Sequence, residues 1–339
     1  MKQQTKKLLL AGGTLIAVCT IALTFIKSRP LWDAKYQSAM GDKYLEGIGV
    51  EQDYAKAMEW YLKAAKRGNA IAQNNLGGMY SAAKGVDQDF EKAMEWRLKA
   101  AEQGCPEAEY NIGIMYFNGL GVKEDNKKAI EWYRKAADQG LAEAQNNLAY
   151  MYSEGLGVEK DYGEALKWYR LAAKQNFAMA EYSIGFFYFK GFGVKKDIAQ
   201  TVVWYEKAAN HGHPLAQTML AAFYVSGQGI KQDFGKAFLW SQKAAEQGVP
   251  GAQYLLGTLY CSGEGDIPTD YKKAAFWIKK AAEQGDVEAQ YTLGGLYMAG
   301  LGVKKDNAEA SKWFLKAGRQ GHQEAQKAFW HLQTQGDGK

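Results

Sequence analysis

The chain has 339 residues, is 47% hydrophobic and holds only 5 prolines, which suits folded helical protein and excludes a disordered chain. Its formal net charge of +5 is accounted for by Lys2, Lys6, Lys7, Lys27 and Arg29, because residues 1–30 contain no acid. From residue 31 onward 37 basic side chains balance 37 acidic ones. Such a body has no net-charge reason to condense on phosphate backbones, so nucleic acid is not expected as a partner.

The first predicted element is Leu8 to Ile26, "LLLAGGTLIAVCTIALTFI", 19 residues without a charge. At about 1.5 Å per residue it roughly matches a hydrocarbon layer of about 30 Å. It is longer than a typical secretory h-region, and no good Ala-x-Ala cleavage site follows. Residues 1–30 are therefore expected to form one hydrophobic N-terminal helix, an uncleaved membrane anchor; a cleaved signal sequence is the alternative. The three lysines before the span and the two basic residues after it favour an inside N-terminus and an exported body. Gly13 and Ala17 form a small-xxx-small pair within the span.

Three cysteines do not make a disulfide scaffold. Cys19 lies in the hydrophobic segment, and Cys105 and Cys261 are about four repeats apart, so packing must hold the body together.

The body repeats. Tryptophans recur at 60, 96, 132, 168, 204, 240, 277 and 313, every 36 residues except for one interval of 37. A fixed period in this range marks a stacked array of supersecondary units. Each unit reads as two helices. The first opens after a glycine such as Gly104, with Pro106, Pro214 and Pro250 at three of the openings, where a missing N–H costs nothing. With Ala108 as offset 0, its apolar stripe is Ile112, Met115 and Tyr116 at +4, +7 and +8. A small residue at +5 (Gly77, Gly113, Ala149, Gly185) is expected to let a neighbouring helix approach closely.

The connecting "GLGV" (Gly119 to Val122) reverses the chain with glycines at positive φ. An aspartate then N-caps each second helix: Asp53, Asp89, Asp125, Asp161, Asp197, Asp233, Asp270 and Asp306. The second stripe is Ala129, Trp132, Tyr133 and Ala136, with the tryptophans expected in the core. Gly140 supplies the left-handed C-cap, and Asn176 replaces it once.

These columns carry a resemblance. "AEAQNNLAYMYSEGLGVEKDYGEALKWYRLAA" (Ala142 to Ala173) resembles the Sel-1-like repeat, a relative of the tetratricopeptide repeat, and the match covers about residues 33–332. The first unit departs from it, with Tyr36 and Met40 where alanine and leucine would stand. The resemblance implies an all-α, right-handed α/α superhelical solenoid of about eight 36-residue helix pairs. The expected organisation is residues 1–30 as the N-terminal segment, 31–321 as eight repeats and 322–339 as a capping helix and tail. The family implies a protein-interaction scaffold, often exported in bacteria, and no single activity.

By resemblance to tetratricopeptide arrays, offsets +2, +6 and +9 of the first helix line a concave groove. Repeat three places Tyr110, Ile114 and Phe117 there, repeat four Asn146, Tyr150 and Ser153, and repeat five Tyr182, Phe186 and Phe189. At +3, Asn75, Asn111 and Asn147 recur at 36-residue intervals, a row of amides able to pair with an extended peptide backbone. The competing reading is that the aromatics pack against adjacent repeats and the asparagines solvate the surface.

Enzyme readings find little support. "GLGV" lacks the third glycine and the preceding strand of a dinucleotide fingerprint. His211 and His213 in "NHGHP" have no further ligands nearby in sequence, so no metal is expected, and no cofactor either. Exported, cysteine-rich members of the family have been linked to β-lactam binding or hydrolysis, but they carry paired cysteines in each repeat and this chain does not. The reading is a non-enzymatic adaptor that binds a protein or peptide partner, tethered to the inner membrane of a bacterial envelope with its body in the periplasm, or secreted after signal cleavage. The alternatives are a structural spacer without a specific groove ligand and, behind it, a cell-wall or β-lactam-related hydrolase.

Overall fold

The computed structural model describes residues 33–336; the hydrophobic N-terminal segment and its proposed anchor lie outside them. Among the described residues every regular element is a helix, and no helix is long and apolar enough to cross a membrane. The chain divides into two compact units, one up to Lys160 and one from Asp161.

In the first unit the helices are α1 (Ala34–Glu46), α2 (Tyr54–Ala65), α3 (Ala70–Ser81), α4 (Phe90–Ala101), α5 (Pro106–Asn118), α6 (Asn126–Asp138) and α7 (Ala142–Glu154). The second unit holds α8 (Tyr162–Ala173), α9 (Ala178–Lys190), α10 (Ile198–Asn210), α11 (Pro214–Ser226), α12 (Phe234–Glu246), α13 (Pro250–Ser262), α14 (Tyr271–Glu283), α15 (Val287–Ala299), α16 (Asn307–Arg319) and α17 (Gln323–Gly336). Within each unit, helices pack mainly on their neighbours in sequence, as expected of a linear array.

The expected caps form. Each of the eight aspartates sits in extended backbone before a second helix and accepts one or two N–H groups from its first turn. Asn176 takes a left-handed φ of 62° where the other repeats use glycine. The second glycine of the connecting loop has a further role. At Gly121, with φ of 68°, an added Cβ would lie 2.7 Å from the Cβ of Phe90, so the loop rests on the start of the second helix one repeat earlier.

The small +5 residue also behaves as expected. A Cβ on Gly113 would be 2.6 Å from the Tyr133 ring, and Gly41, Gly185 and Gly294 are covered in the same way by Tyr61, Tyr205 and Phe314. Each aromatic therefore lies flat on the bare backbone of its own repeat's first helix.

This moves the tryptophans. They were expected in the core, yet Trp60, Trp96, Trp132, Trp204 and Trp277 are only half-buried, with Trp168, Trp240 and Trp313 buried. The residue after each tryptophan is the fully enclosed one, including Tyr61, Tyr133, Tyr205, Ile278 and Phe314. The half-buried tryptophans keep part of the ring outward, where a lysine one turn on lies over it: Lys135 is 3.9 Å from the Trp132 centroid and Lys207 4.1 Å from that of Trp204. Adjacent residues on a helix point about 100° apart, and only one of the pair can seat on the glycine.

Candidate functional site

The offsets that promise a partner surface lie on α3, α5 and α7 in the first unit. Ile114, Phe117 and Asn118 of α5 face Asn147, Tyr150 and Met151 of α7 across an open slot of about 330 Å³, with Tyr133 of α6 as its floor. Tyr150 is 46% exposed, while Ile114 and Phe117 are half-buried. The slot thus brings together four of the expected groove residues: Ile114, Phe117, Asn147 and Tyr150.

Tyr110 lies beside the slot, its ring centroid 5.8 Å from that of Tyr133. Burial pushes both phenols above their ordinary range, so they remain neutral donors at physiological pH.

The asparagine row is built differently from the expectation. Asn147 Nδ2 donates toward the Tyr110 hydroxyl at 3.5 Å, Asn111 Nδ2 donates to Asn74 Oδ1 at 3.0 Å, and Asn75 Nδ2 donates toward Asp42 Oδ1 at 3.4 Å. Each amide thus reaches back to a +2 or +6 side chain of the preceding repeat. These donors already tie consecutive first helices together, and Asn147 Oδ1 in turn accepts from Asn146 Nδ2 at 3.3 Å, which leaves the slot walls as the surface offered outward.

In the second unit, Tyr182, Phe186 and Phe189 of α9 are half-buried. Tyr182 stacks at 5.3 Å on Tyr205 and at 4.5 Å on the His213 ring. Phe189 meets Phe223 edge-on at 6.2 Å, and Phe186 meets Phe192 edge-on at 6.1 Å. Lys190 lies 5.6 Å from the rings of both Phe186 and Phe189. Phe189 thus joins neighbouring repeats, while Tyr182 and Phe186 pack within their own repeat.

The histidines are structural. His213 N-caps α11, its Nδ1 accepting from the Ala216 N–H at 3.2 Å, and burial pulls its pKa below the ordinary value. His211 Nδ1 pairs with the buried Glu181 carboxylate at 2.7 Å. Among the described residues no group of three or more His, Cys, Asp or Glu is gathered as a metal site. Cys105 and Cys261 are free, and burial raises both thiols.

Sequence reasoning missed a polar column at offset +1. Gln73, Gln145, Gln217, Gln253 and Gln290 are buried, and each donates to a carbonyl eight residues earlier, at the end of the preceding second helix. Gln73, Gln217, Gln253 and Gln290 also accept from a glutamine about thirty residues later, such as Gln103 to Gln73 at 2.7 Å. Such a side chain satisfies one of the orphan carbonyls that every helix end leaves. The signal was its recurrence after alanine, with glutamate in its place at Glu109 and Glu181.

Helix pairs, aspartate caps, glycine-seated aromatics and this glutamine column define a solenoid of the two-helix repeat class. The Sel1 repeat model matches at 34–69, 70–105, 106–141, 142–177, 178–213, 214–249, 250–286 and 287–322, and the chain belongs to the Sel1 repeat family. Among solved structures it is similar to c5321, a protective antigen present in uropathogenic Escherichia coli strains, with 36% identity, a TM-score of 0.79, and coverage of 92% of this chain and 67% of that one. It is also similar to a Sel1 repeat protein from Oxalobacter formigenes, with 32% identity, a TM-score of 0.65, and coverage of 92% and 90%. No curated protein matches the sequence.

Proposed function

We propose that this protein is a non-enzymatic scaffold that recruits a polypeptide through the first-helix face of its repeats, with the slot between α5 and α7 as the principal contact. The observation that carries the reading is the slot itself. It has apolar walls at Ile114, Phe117 and Tyr150, and neutral hydrogen-bonding groups at Tyr133 and Asn147. An aromatic or aliphatic anchor fits such a surface, and an open apolar site with a few fixed polar groups is the usual form of a protein-binding hot spot. A pure spacer needs no exposed Tyr150.

The body is placed outside the cytoplasm, tethered by residues 1–30 to the inner membrane of a bacterial envelope or released after cleavage. Supporting this are the uncharged run from Leu8 to Ile26 with its flanking basic residues and the description of the E. coli relative as a protective antigen. An alkaline-phosphatase fusion after Lys339 should be active in cells; an inactive fusion made in normal amounts would overturn the exported topology. The binding role is tested by a double variant, Ile114→Ala with Tyr150→Ala, in a pull-down from cells. Loss of co-purifying protein supports the slot, and unchanged recovery removes it.

A further inference from the structure

The column that covers the small +5 residue has one charged member. Tyr61, Tyr133 and Tyr205 occupy it in repeats one, three and five, but repeat two carries Arg97. Arg97 takes the same path: a Cβ on Gly77 would lie 2.7 Å from its Cγ and 3.1 Å from its Nε. Only 9% of the residue is exposed. Its Nε is enclosed and makes no hydrogen bond, and among the described residues no ion pair reaches its guanidinium. Desolvation alone pulls its pKa down to about 10, so the group is still charged at neutral pH.

Repeat equivalence gives the course expected of the guanidinium. One repeat earlier, the Tyr61 hydroxyl crosses Gly41 and donates to Asp42 Oδ1 at 2.7 Å, and Asn75 donates to the same oxygen. Asp42 is the +6 residue of its repeat. At +6 of repeat two the chain has Gly78, where an added Cβ would meet nothing within 4 Å. The acceptor that the first repeat supplies from its own chain is therefore missing at the second, and open space stands in its place. Asn74 and Asn111, joined at 3.0 Å, occupy the +2 and +3 positions beside it.

A desolvated guanidinium with a buried, unpartnered Nε is costly, and a ligand that supplies the counter-charge would offset that cost. We propose that Arg97, with Gly78 as the open side, forms a subsite for a carboxylate of the bound polypeptide, either an Asp or Glu side chain or a free C-terminus. A monoanion matches the single cation, and the planar fork of guanidinium donors pairs with a carboxylate by two parallel hydrogen bonds. The inference rests on the recruitment reading above and specifies what the recruited segment must carry.

The test follows the Arg97 Nε–Hε signal in nitrogen-edited NMR spectra of the full chain in mild detergent, assigned by its absence from Arg97→Tyr. Sodium acetate added at constant ionic strength should move the signal saturably, while sodium chloride and neutral acetamide should give less than a tenth of that shift. Gly78→Leu, which fills the open side, should abolish the response while circular dichroism and Tm stay near wild type. A signal that ignores acetate, or follows chloride equally, overturns the subsite. Photo-crosslinking at Tyr150 separates the two readings: an adduct there with no acetate response removes the carboxylate subsite and keeps recruitment, and an acetate response without any adduct does the reverse.

Discussion

A methyl group at position 113 would press 2.6 Å from the Tyr133 ring, whereas one at position 78 would meet nothing within 4 Å. The two glycines, both inside first helices, should thus respond oppositely to the same substitution. Gly113→Ala should cost about 1–3 kcal/mol through overpacking against a ring that has no room to retreat. Gly78→Ala should gain up to about 1 kcal/mol from helix propensity. Urea denaturation of both variants checks the pair. Arg97 gives a second residue-scale prediction. Arg97→Tyr restores the residue of the equivalent columns and removes a desolvated charge, so it should stabilise by about 1–4 kcal/mol, read from the same unfolding curves. Lower stability in that variant would mean the guanidinium is satisfied after all.

At the scale of the helix, the ends do most of the specifying. Asp53, Asp89 and Asp270 are held below the ordinary carboxylate value of 3.8, chiefly by the backbone N–H groups of Lys56, Lys92 and Lys273. A carboxylate whose folded pKa is depressed contributes stability that is present above the unfolded value and lost as pH falls through the folded one. Acid unfolding should therefore set in below about pH 4 as the caps protonate. Changing the three to asparagine keeps a capping oxygen but removes the titration. The triple variant should show a shallower acid limb between about pH 4 and 2, and an unchanged limb would refute the role given to the caps. These caps were legible because Asp at a fixed place before an amphipathic run has one dominant use. The tryptophan's position was not, because Trp132 and Tyr133 both fit a 3.6-residue stripe and only the bare backbone at Gly113 decides between them. The buried glutamines escaped for a related reason. Gln is a surface residue by type, and its burial depends on a carbonyl of the preceding helix, such as Ala65 O for Gln73, which no local pattern announces.

At the scale of the whole chain, the period of 36 announced the repeat fold, and the eight matched Sel1 repeats follow it almost residue for residue. The departures from the period that bear on the proposed function are Arg97 in a mostly aromatic column, Gly78 where repeats one, three, four and five carry Asp42, Ile114, Tyr150 and Phe186, and Tyr150 exposed beside Ile114 and Phe117. Sequence alone could place Ile114, Phe117 and Tyr150 on one face of the first helices. It could not reveal that the asparagine amides are engaged between repeats, or that Tyr182 and Phe189 spend much of their surface on Tyr205 and Phe223. The candidate surface is accordingly narrower than the sequence suggested and centres on the slot of the first unit. The most direct test is photo-crosslinking in the native cell, with a probe at Tyr150 and a control at the exposed Lys167 on a second helix. A discrete protein adduct from Tyr150 and none from Lys167 is the predicted result. Adducts from neither position, or equally from both, in cells making normal amounts of protein, would contradict the claim that this face of the solenoid recruits a partner.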